Sequence, residues 1–193
     1  YDGTDAVTLN PSTDFSLSGF VAGQGASIAQ AAHASYDNPN AGAQGITVGL
    51  ATSDYVAAGG TLLSNYILPT VGTANGTITP APLVARIINN PTKVYDTLTT
   101  FDATTGNTGA NAGVGLVAGN YEIAGFIGSD GATVSQANGT FNTANAGTRT
   151  ISSDISGRLT ATGTTNFSNY ILPTTASGVG TITRRSISIN GVT

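Results

Sequence analysis

The sequence predicts an all-β protein of two tandem immunoglobulin-like β-sandwich modules, with a β-grasp-like arrangement of the same strands as the alternative. Three observations lead there. Short apolar runs of period two alternate with turn residues at spacings of roughly 8–12 positions, the signature of a sandwich or barrel. No stretch carries the three-and-four spacing of a long amphipathic helix. Finally, Asn65-Tyr66-Ile67-Leu68-Pro69-Thr70 returns as Asn169-Tyr170-Ile171-Leu172-Pro173-Thr174, and Gly76-Thr77-Ile78-Thr79 returns as Gly180-Thr181-Ile182-Thr183. A string that recurs in register with its own ending marks a repeated module.

Composition narrows the function classes. The 193 residues are 39% hydrophobic and only 8% charged, against about 25% charged in an average protein. The surface is therefore built from Thr, Ser, Asn, Gly and Ala, which suits a protein outside the cell. Six basic residues in a net charge of −4 leave Arg184-Arg185 as the sole basic pair, too little to neutralise nucleic-acid phosphates. There is no Cys, Met or Trp, so disulfides and thiolate metal sites are excluded together. No apolar run approaches the length of a membrane span. The start, Tyr1-Asp2-Gly3-Thr4, lacks signal-peptide character and reads as an excised or processed segment.

The first module is expected over residues 1–80. Ala6-Val7-Thr8-Leu9 reads as the end of a strand, and Asn10-Pro11-Ser12-Thr13-Asp14 as a turn. Phe15, Leu17 and Gly19 alternate with serines in a half-buried strand. From Ala26 to Tyr36 one face carries Ala26, Ile28, Gln30, Ala32, Ala34 and Tyr36, while His33 lies on the other. The matching Ala132-Thr133-Val134-Ser135 favours strand over helix for this Ala-rich run. After an Asn-Pro turn, Ile46, Val48 and Leu50 form the next stripe, followed by strands carrying Tyr66 with Leu68 and ending at Ile78.

Thr79-Pro80-Ala81-Pro82-Leu83 is the joint, held extended by its prolines. The second module is expected over 81–184, opening with the strand Leu83 to Ile88 and carrying a Gly-, Asn- and Thr-rich insert at 104–115 of surface-loop composition. Ile28 to Tyr36 spans one residue more than Val134 to Phe141, so a bulge or shortened strand should separate the modules there. Tyr66 with Tyr170, Leu68 with Leu172 and Ile78 with Ile182 should be equivalent buried positions. Leu172→Ala should then cost about 2–5 kcal/mol.

A lysine, one residue, then Tyr-Asp; an Asn-Ala-Gly turn; an Asn-Tyr strand; and Ile78-Thr79-Pro80-Ala81-Pro82-Leu83 together resemble the YDG-type repeat. That repeat occurs in large secreted bacterial adhesins related to filamentous haemagglutinin and exported by two-partner secretion. The leading motif is intact at Tyr1-Asp2-Gly3-Thr4 and departs at its glycine in Tyr95-Asp96-Thr97-Leu98. The resemblance implies a structural role on the bacterial surface and brings no catalytic residues with it.

Chemical candidates are sparse. His33 is the only histidine, which leaves no duplicated nucleophilic triad. Asp37, Asn38 and Asp54 are the best oxygen ligands, but no loop has the carboxylate density calcium needs. Asn75, Asn138 and Asn166 begin glycosylation-type triplets of the sort that an Asn- and Thr-rich composition generates by itself. Lys93, the only lysine, suits an isopeptide crosslink to a buried Asn, but the sequence identifies no partner. The expectation is no enzyme and no catalytic, cofactor-binding or metal residues. The chain reads as a stalk or filament segment of an extracellular adhesin, in attachment, aggregation or biofilm. A carbohydrate-binding module using the insert and the tyrosines is the alternative, with surface glycans as ligands.

The last expectation concerns the ends. Residues 185–193 stand where Ala81 to Ile88 stood, as the first strand of a following module, whereas module one lacks such a strand. Two readings follow: an excerpt from a longer chain of repeats, or a head-to-tail polymer. In the second, Ile187, Ile189 and Val192 form a donor strand that completes module one of the next copy.

Overall fold

The structure, a computed structural model, describes residues 1–29, 34–103 and 109–191. It is all β and sandwich-like, with several sheets and, among the described residues, no helix longer than a three-residue 3-10 turn. Two compact units divide it, Tyr1–Pro80 and Ala81–Thr193.

Unit 1 contains β1 (Gly25–Ile28), β2 (Ala34–Tyr36), β3 (Gly42–Gly49), β4 (Tyr55–Ala58) and β5 (Val71–Ile78). β2, β3 and β5 form one antiparallel sheet, and β1 pairs with β4 in a second. Period two turns Ile46, Val48 and Leu50 inward, where Val48 and Leu50 pack with Ile28 and Tyr55. Phe15, Leu17 and Leu68 close this core only as half-buried side chains.

Unit 2 contains β6 (Ala81–Pro82), β7 (Val84–Ile87), β8 (Thr92–Val94), β9 (Thr100–Phe101), β10 (Tyr121–Ala124), β11 (Gly131–Val134), β12 (Gly139–Phe141), β13 (Gly147–Asp154), β14 (Leu159–Thr162), β15 (Tyr170–Ile171) and β16 (Thr175–Thr183). Its main sheet runs β10-β7-β16-β13-β12-β9, with β8 also on β16; β11 pairs β14, and β15 pairs β6. The β16 pairs with β7 and β8 are parallel, as is β15 with β6. These parallel pairs are additions to what the sequence predicts. The core joins Ile87, Phe101, Leu116, Val134, Phe141, Ile151, Ile155 and Ile182.

The repeat is structural as well as textual. Gly76 lies beneath the Tyr36 ring and Gly180 beneath the Phe141 ring, where an added Cβ would stand 2.7 Å from the ring edge in each case. This close approach explains why both copies end in Gly-Thr-Ile-Thr. In both Asn-Ala-Gly turns a long side chain returns to the asparagine carbonyl: Gln44 Nε2 donates to Asn40 O at 2.9 Å and Arg149 Nε to Asn145 O at 2.8 Å.

Several expectations need correction. Phe15 and Leu17 are half-buried and alternate with exposed serines, but Phe15–Gly19 joins no strand ladder among the described residues. Its counterpart β10 pairs only with β7, and among the described residues unit 1 has no strand in the place of β7. Ala6 to Leu9 contributes a single bridge, Ala6 to Ser35, rather than a strand. Tyr66 to Leu68 is not a strand, whereas Tyr170–Ile171 is one through its pairing with β6. Nor are the three residue pairs equally buried. Tyr170 and Ile182 are in the core while Tyr66 and Ile78 are half-buried, and Leu172 is 37% exposed. Leu172 therefore cannot carry the cost of a core leucine. The run from Ala26 to Tyr36 is two strands, β1 and β2, in different sheets. Gln30, Ala32 and His33 lie outside the described residues, as does much of the stretch holding the extra residue of unit 1.

Candidate functional site

Strand β7 alternates cleanly: Leu83, Ala85 and Ile87 are buried, while Val84 and Arg86 face outward. It lies between β10 and β16, and Leu83 N donates to Ile171 O at 3.1 Å. Just ahead of it, β6 runs beside Gly125, where a Cβ would meet Pro82 O at 2.6 Å. Gly125 has φ +105°. Two demands thus select glycine, a left-handed backbone and a close strand.

Unit 1 repeats the surroundings of that strand without the strand. Gly19, the counterpart of Gly125, keeps φ +93°, yet nothing stands within 4 Å of the Cβ it lacks. Among the described residues β5 pairs only with β3 and presents its other edge. A groove of about 380 Å³ runs between Phe15-Ser16 and Gly72 to Asn75, floored by Ile46 and Val48. A second, of the same volume, lies between Leu17 to Phe20 and Tyr66 to Leu68. By the repeat, these grooves are the places of β7 and β6. Ile67, counterpart of the Ile171 that β6 and Leu83 contact, is 101% exposed.

The walls around the empty position are intact. Tyr66 packs on Phe20 at 4.9 Å and Tyr170 on Phe126 at 5.2 Å between ring centroids. The Tyr66 hydroxyl accepts from Val21 N and donates to Gln24 Oε1; the Tyr170 hydroxyl accepts from Ile127 N and donates to Asp130 Oδ2. The same threonine bond closes the end of the β1–β4 and β11–β14 pairs, Gly25 N to Thr61 Oγ1 and Gly131 N to Thr165 Oγ1, both at 2.8 Å. Among the described residues, unit 1 thus keeps the surroundings of β6 and β7 with no strand paired there.

A polar site occupies the Lys93 to Asp96 motif. The Lys93 side chain is fully buried, and Nζ meets Asp96 Oδ1 at 2.7 Å and the carbonyls of Leu98 and Thr100 at 2.8 Å. Asn111, also buried, donates from Nδ2 to Asp96 Oδ2 at 2.9 Å and to Val94 O at 2.7 Å, while its Oδ1 accepts from Val94 N at 2.8 Å. Burial alone would push the Asp96 carboxyl up. The hydrogen bonds from Lys93 and Leu98 N, the lysine charge and the Asn111 amide outweigh it and hold the group below the ordinary aspartate value. The turn after Asp96 places its third residue at positive φ in both units, 82° at Gly3 and 71° at Thr97. The following amide bonds the aspartate in each, Thr4 N to Asp2 and Leu98 N to Asp96.

The YDG domain profile matches residues 79–177. The chain belongs to the YDG domain family. No curated protein and no solved structure matches it. The matched YDG domain contains the Lys93 cluster and unit 2 as far as the start of β16.

The remaining candidates fall apart in space. Asp54 spends its carboxylate on Ala51 N at 2.7 Å, and no group of three or more metal-ligating residues occurs among the described residues. Asn75 and Asn138 are exposed; Asn166 caps a 3-10 turn by accepting from Ser168 N. Among the described residues no helix is long and apolar enough to cross a membrane. Ile187 and Ile189 are 94% and 85% exposed; Val192 lies outside the described residues. The sequence reading missed Asn111, which it placed in a surface insert whose residues 104–108 are outside the described set. It also missed that Asp96 faces Lys93; the three-residue spacing of the only lysine from an acid was the available signal.

Proposed function

We propose that the chain is a structural stalk or filament segment of a bacterial extracellular adhesin, and that its units are joined by strand complementation. The groove of unit 1 takes a strand of the kind β6 and β7 supply in unit 2, from a neighbouring repeat module or from the Arg185–Gly191 segment of a second copy. The observation that carries this is Gly19: it keeps the glycine and the backbone angle of Gly125, but the strand that both residues make room for is absent in unit 1.

The donor has matching chemistry. By the repeat, Ile187 stands for Leu83 and Ile189 for Ala85, the two inward positions, with Ser188 and Asn190 at the outward ones. Inserting that strand would cover two exposed isoleucines and the edge of β5 at once. One point forces a departure. Gly178 lies against Ile87 O with no room for a Cβ, whereas unit 1 has Ala74 there. The donor carries Gly191 at the Ile87 place, with φ +85°, so its backbone can turn away from Ala74. Because each copy offers one groove and one strand, the contact is heterologous and extends into a filament.

Membership of the YDG family, the uncharged surface and the repeat support a secreted stalk. A carbohydrate-binding reading finds less support, since the Tyr66 and Tyr170 rings and hydroxyls are engaged within their own units. Light scattering across a concentration series decides. The chain of 193 residues should grow in mass, and a version ending at Arg184, which keeps every strand, should remain a monomer. Equal monomeric masses at high concentration would sink strand donation.

A further inference from the structure

The Lys93 cluster has a chemistry that a simple ion pair does not need. The chain contains a single lysine, and that lysine is buried with its amine on one oxygen of Asp96 while a buried asparagine amide sits on the other. The same amide has its oxygen hydrogen-bonded by Val94 N–H, which draws electrons from its carbonyl carbon. A nucleophile, an activated acyl group and a proton carrier between them are therefore assembled in one water-poor site. We propose that Lys93 and Asn111 join in an intramolecular isopeptide bond, with Asp96 as the proton carrier.

The balance closes without any reagent from outside. Lys93 Nζ gives a proton to Asp96 Oδ1 and becomes a neutral amine. Its lone pair attacks Cγ of Asn111, and the carbonyl electrons move onto Oδ1, where the Val94 N–H holds them. Asp96 then protonates Nδ2, from its position at 2.9 Å. The electrons return from Oδ1, the bond from Cγ to Nδ2 breaks, and ammonia departs. Asp96 takes the surplus proton from the new amide nitrogen and passes it to the ammonia. The products are one amide, one ammonium ion and the restored carboxylate. Nothing is oxidised or reduced.

Loss of ammonia to bulk water supplies the direction. Inside, a charged amine becomes a neutral amide in hydrogen-bonding surroundings, and the Asp96 carboxylate keeps its bond from Leu98 N. Leu98 O and Thr100 O receive the amine and position Nζ for the attack, and one of them can keep the single N–H of the product amide. Unit 1 supplies an internal control: Asp2 bonds Thr4, and no lysine exists to face it. The crosslink is accordingly expected once per chain.

Intact-mass spectrometry of the purified chain is the test. The expected mass is the sequence mass less one ammonia, with a proteolytic fragment in which Lys93 and Asn111 are linked. Lys93→Arg, Asn111→Ala and Asp96→Ala should each restore the full sequence mass, and far-UV circular dichroism shows which of them stay folded. A wild-type chain at its full sequence mass after prolonged incubation overturns the proposal, whatever the variants do. So does ammonia loss that maps to a succinimide at Asn75-Gly76, Asn138-Gly139 or Asn190-Gly191. A crosslink that survives Asp96→Ala removes Asp96 from the mechanism.

Discussion

Tyr66 and Tyr170 sit in the same hexapeptide, stack on equivalent phenylalanines and use their hydroxyls on equivalent residues, but only Tyr170 is buried. The difference lies in a neighbour supplied from elsewhere in the chain. In unit 2, β7 lies between β10 (Tyr121–Ala124) and the long strand β16, and β6 pairs with β15, filling the places that are grooves in unit 1. In unit 1 the segment corresponding to β10, Phe15 to Ser18, has the right alternation and no ladder. The identical Asn-Tyr-Ile-Leu-Pro-Thr therefore gives a strand in one unit and an irregular segment in the other, because a ladder needs two partners.

The largest test of this contrast is in the core. Phe141 is buried to 1% exposure, stacked edge-on against Phe101, and Phe141→Ala should cost about 3–5 kcal/mol. Tyr36 is its half-buried counterpart, and Tyr36→Ala should cost roughly 1–2 kcal/mol, in proportion to the smaller area it removes from water. Denaturant unfolding followed by hydrogen exchange reads each unit separately. Equal costs would mean that unit 1 is closed in solution by something already bound.

Next comes the glycine pair. Gly19→Ala and Gly125→Ala both force a side chain to positive φ, at roughly 1–2 kcal/mol each. Gly125→Ala also drives its Cβ into Pro82 O and should cost at least about 1 kcal/mol more in the same exchange experiment. In the assembled filament the Gly19 variant should lose its advantage, because the donor then occupies the place of β6. A Gly19→Ala chain that assembles as well as the parent would argue against that geometry.

A smaller effect sharpens the comparison at the Tyr-Asp-Gly turn. Thr97 holds φ 71° where Gly3 holds 82°. Thr97→Gly should relieve that strain, offset by the entropy glycine loses on folding, for a net gain of up to about 1 kcal/mol in thermal unfolding of unit 2. A loss would show that the threonine side chain earns its place by contacts of its own.

These contrasts also show what the sequence makes legible. Period two in Ile46, Val48 and Leu50, the repeated Gly-Thr-Ile-Thr ending and the two Asn-Ala-Gly turns are local signals, and they survive into the structure. Strand pairing is not local. Nothing in Phe15-Ser16-Leu17-Ser18 says that its partner is missing, and nothing in Leu83 to Ile88 says that it runs parallel to β16. The candidate site follows the same rule. Lys93 and Asp96 are three residues apart and their pairing is readable; Asn111 reaches them across a Gly- and Asn-rich insert, and only the fold brings it in.

The most direct measurement is residue-resolved hydrogen exchange on the chain ending at Arg184, with and without a synthetic peptide of residues 183–191. Without the peptide, amides in Phe15–Ser18 and those of Thr73–Asn75 that point away from β3 should exchange fast, while the Tyr121–Ala124 amides that face β7 are protected. With the peptide, the two unit 1 segments should become protected and Tyr121–Ala124 should not change. Protection of Phe15–Ser18 in the monomer before any peptide is added, or no response to it, would contradict the view that unit 1 is a unit 2 fold waiting for its first strand.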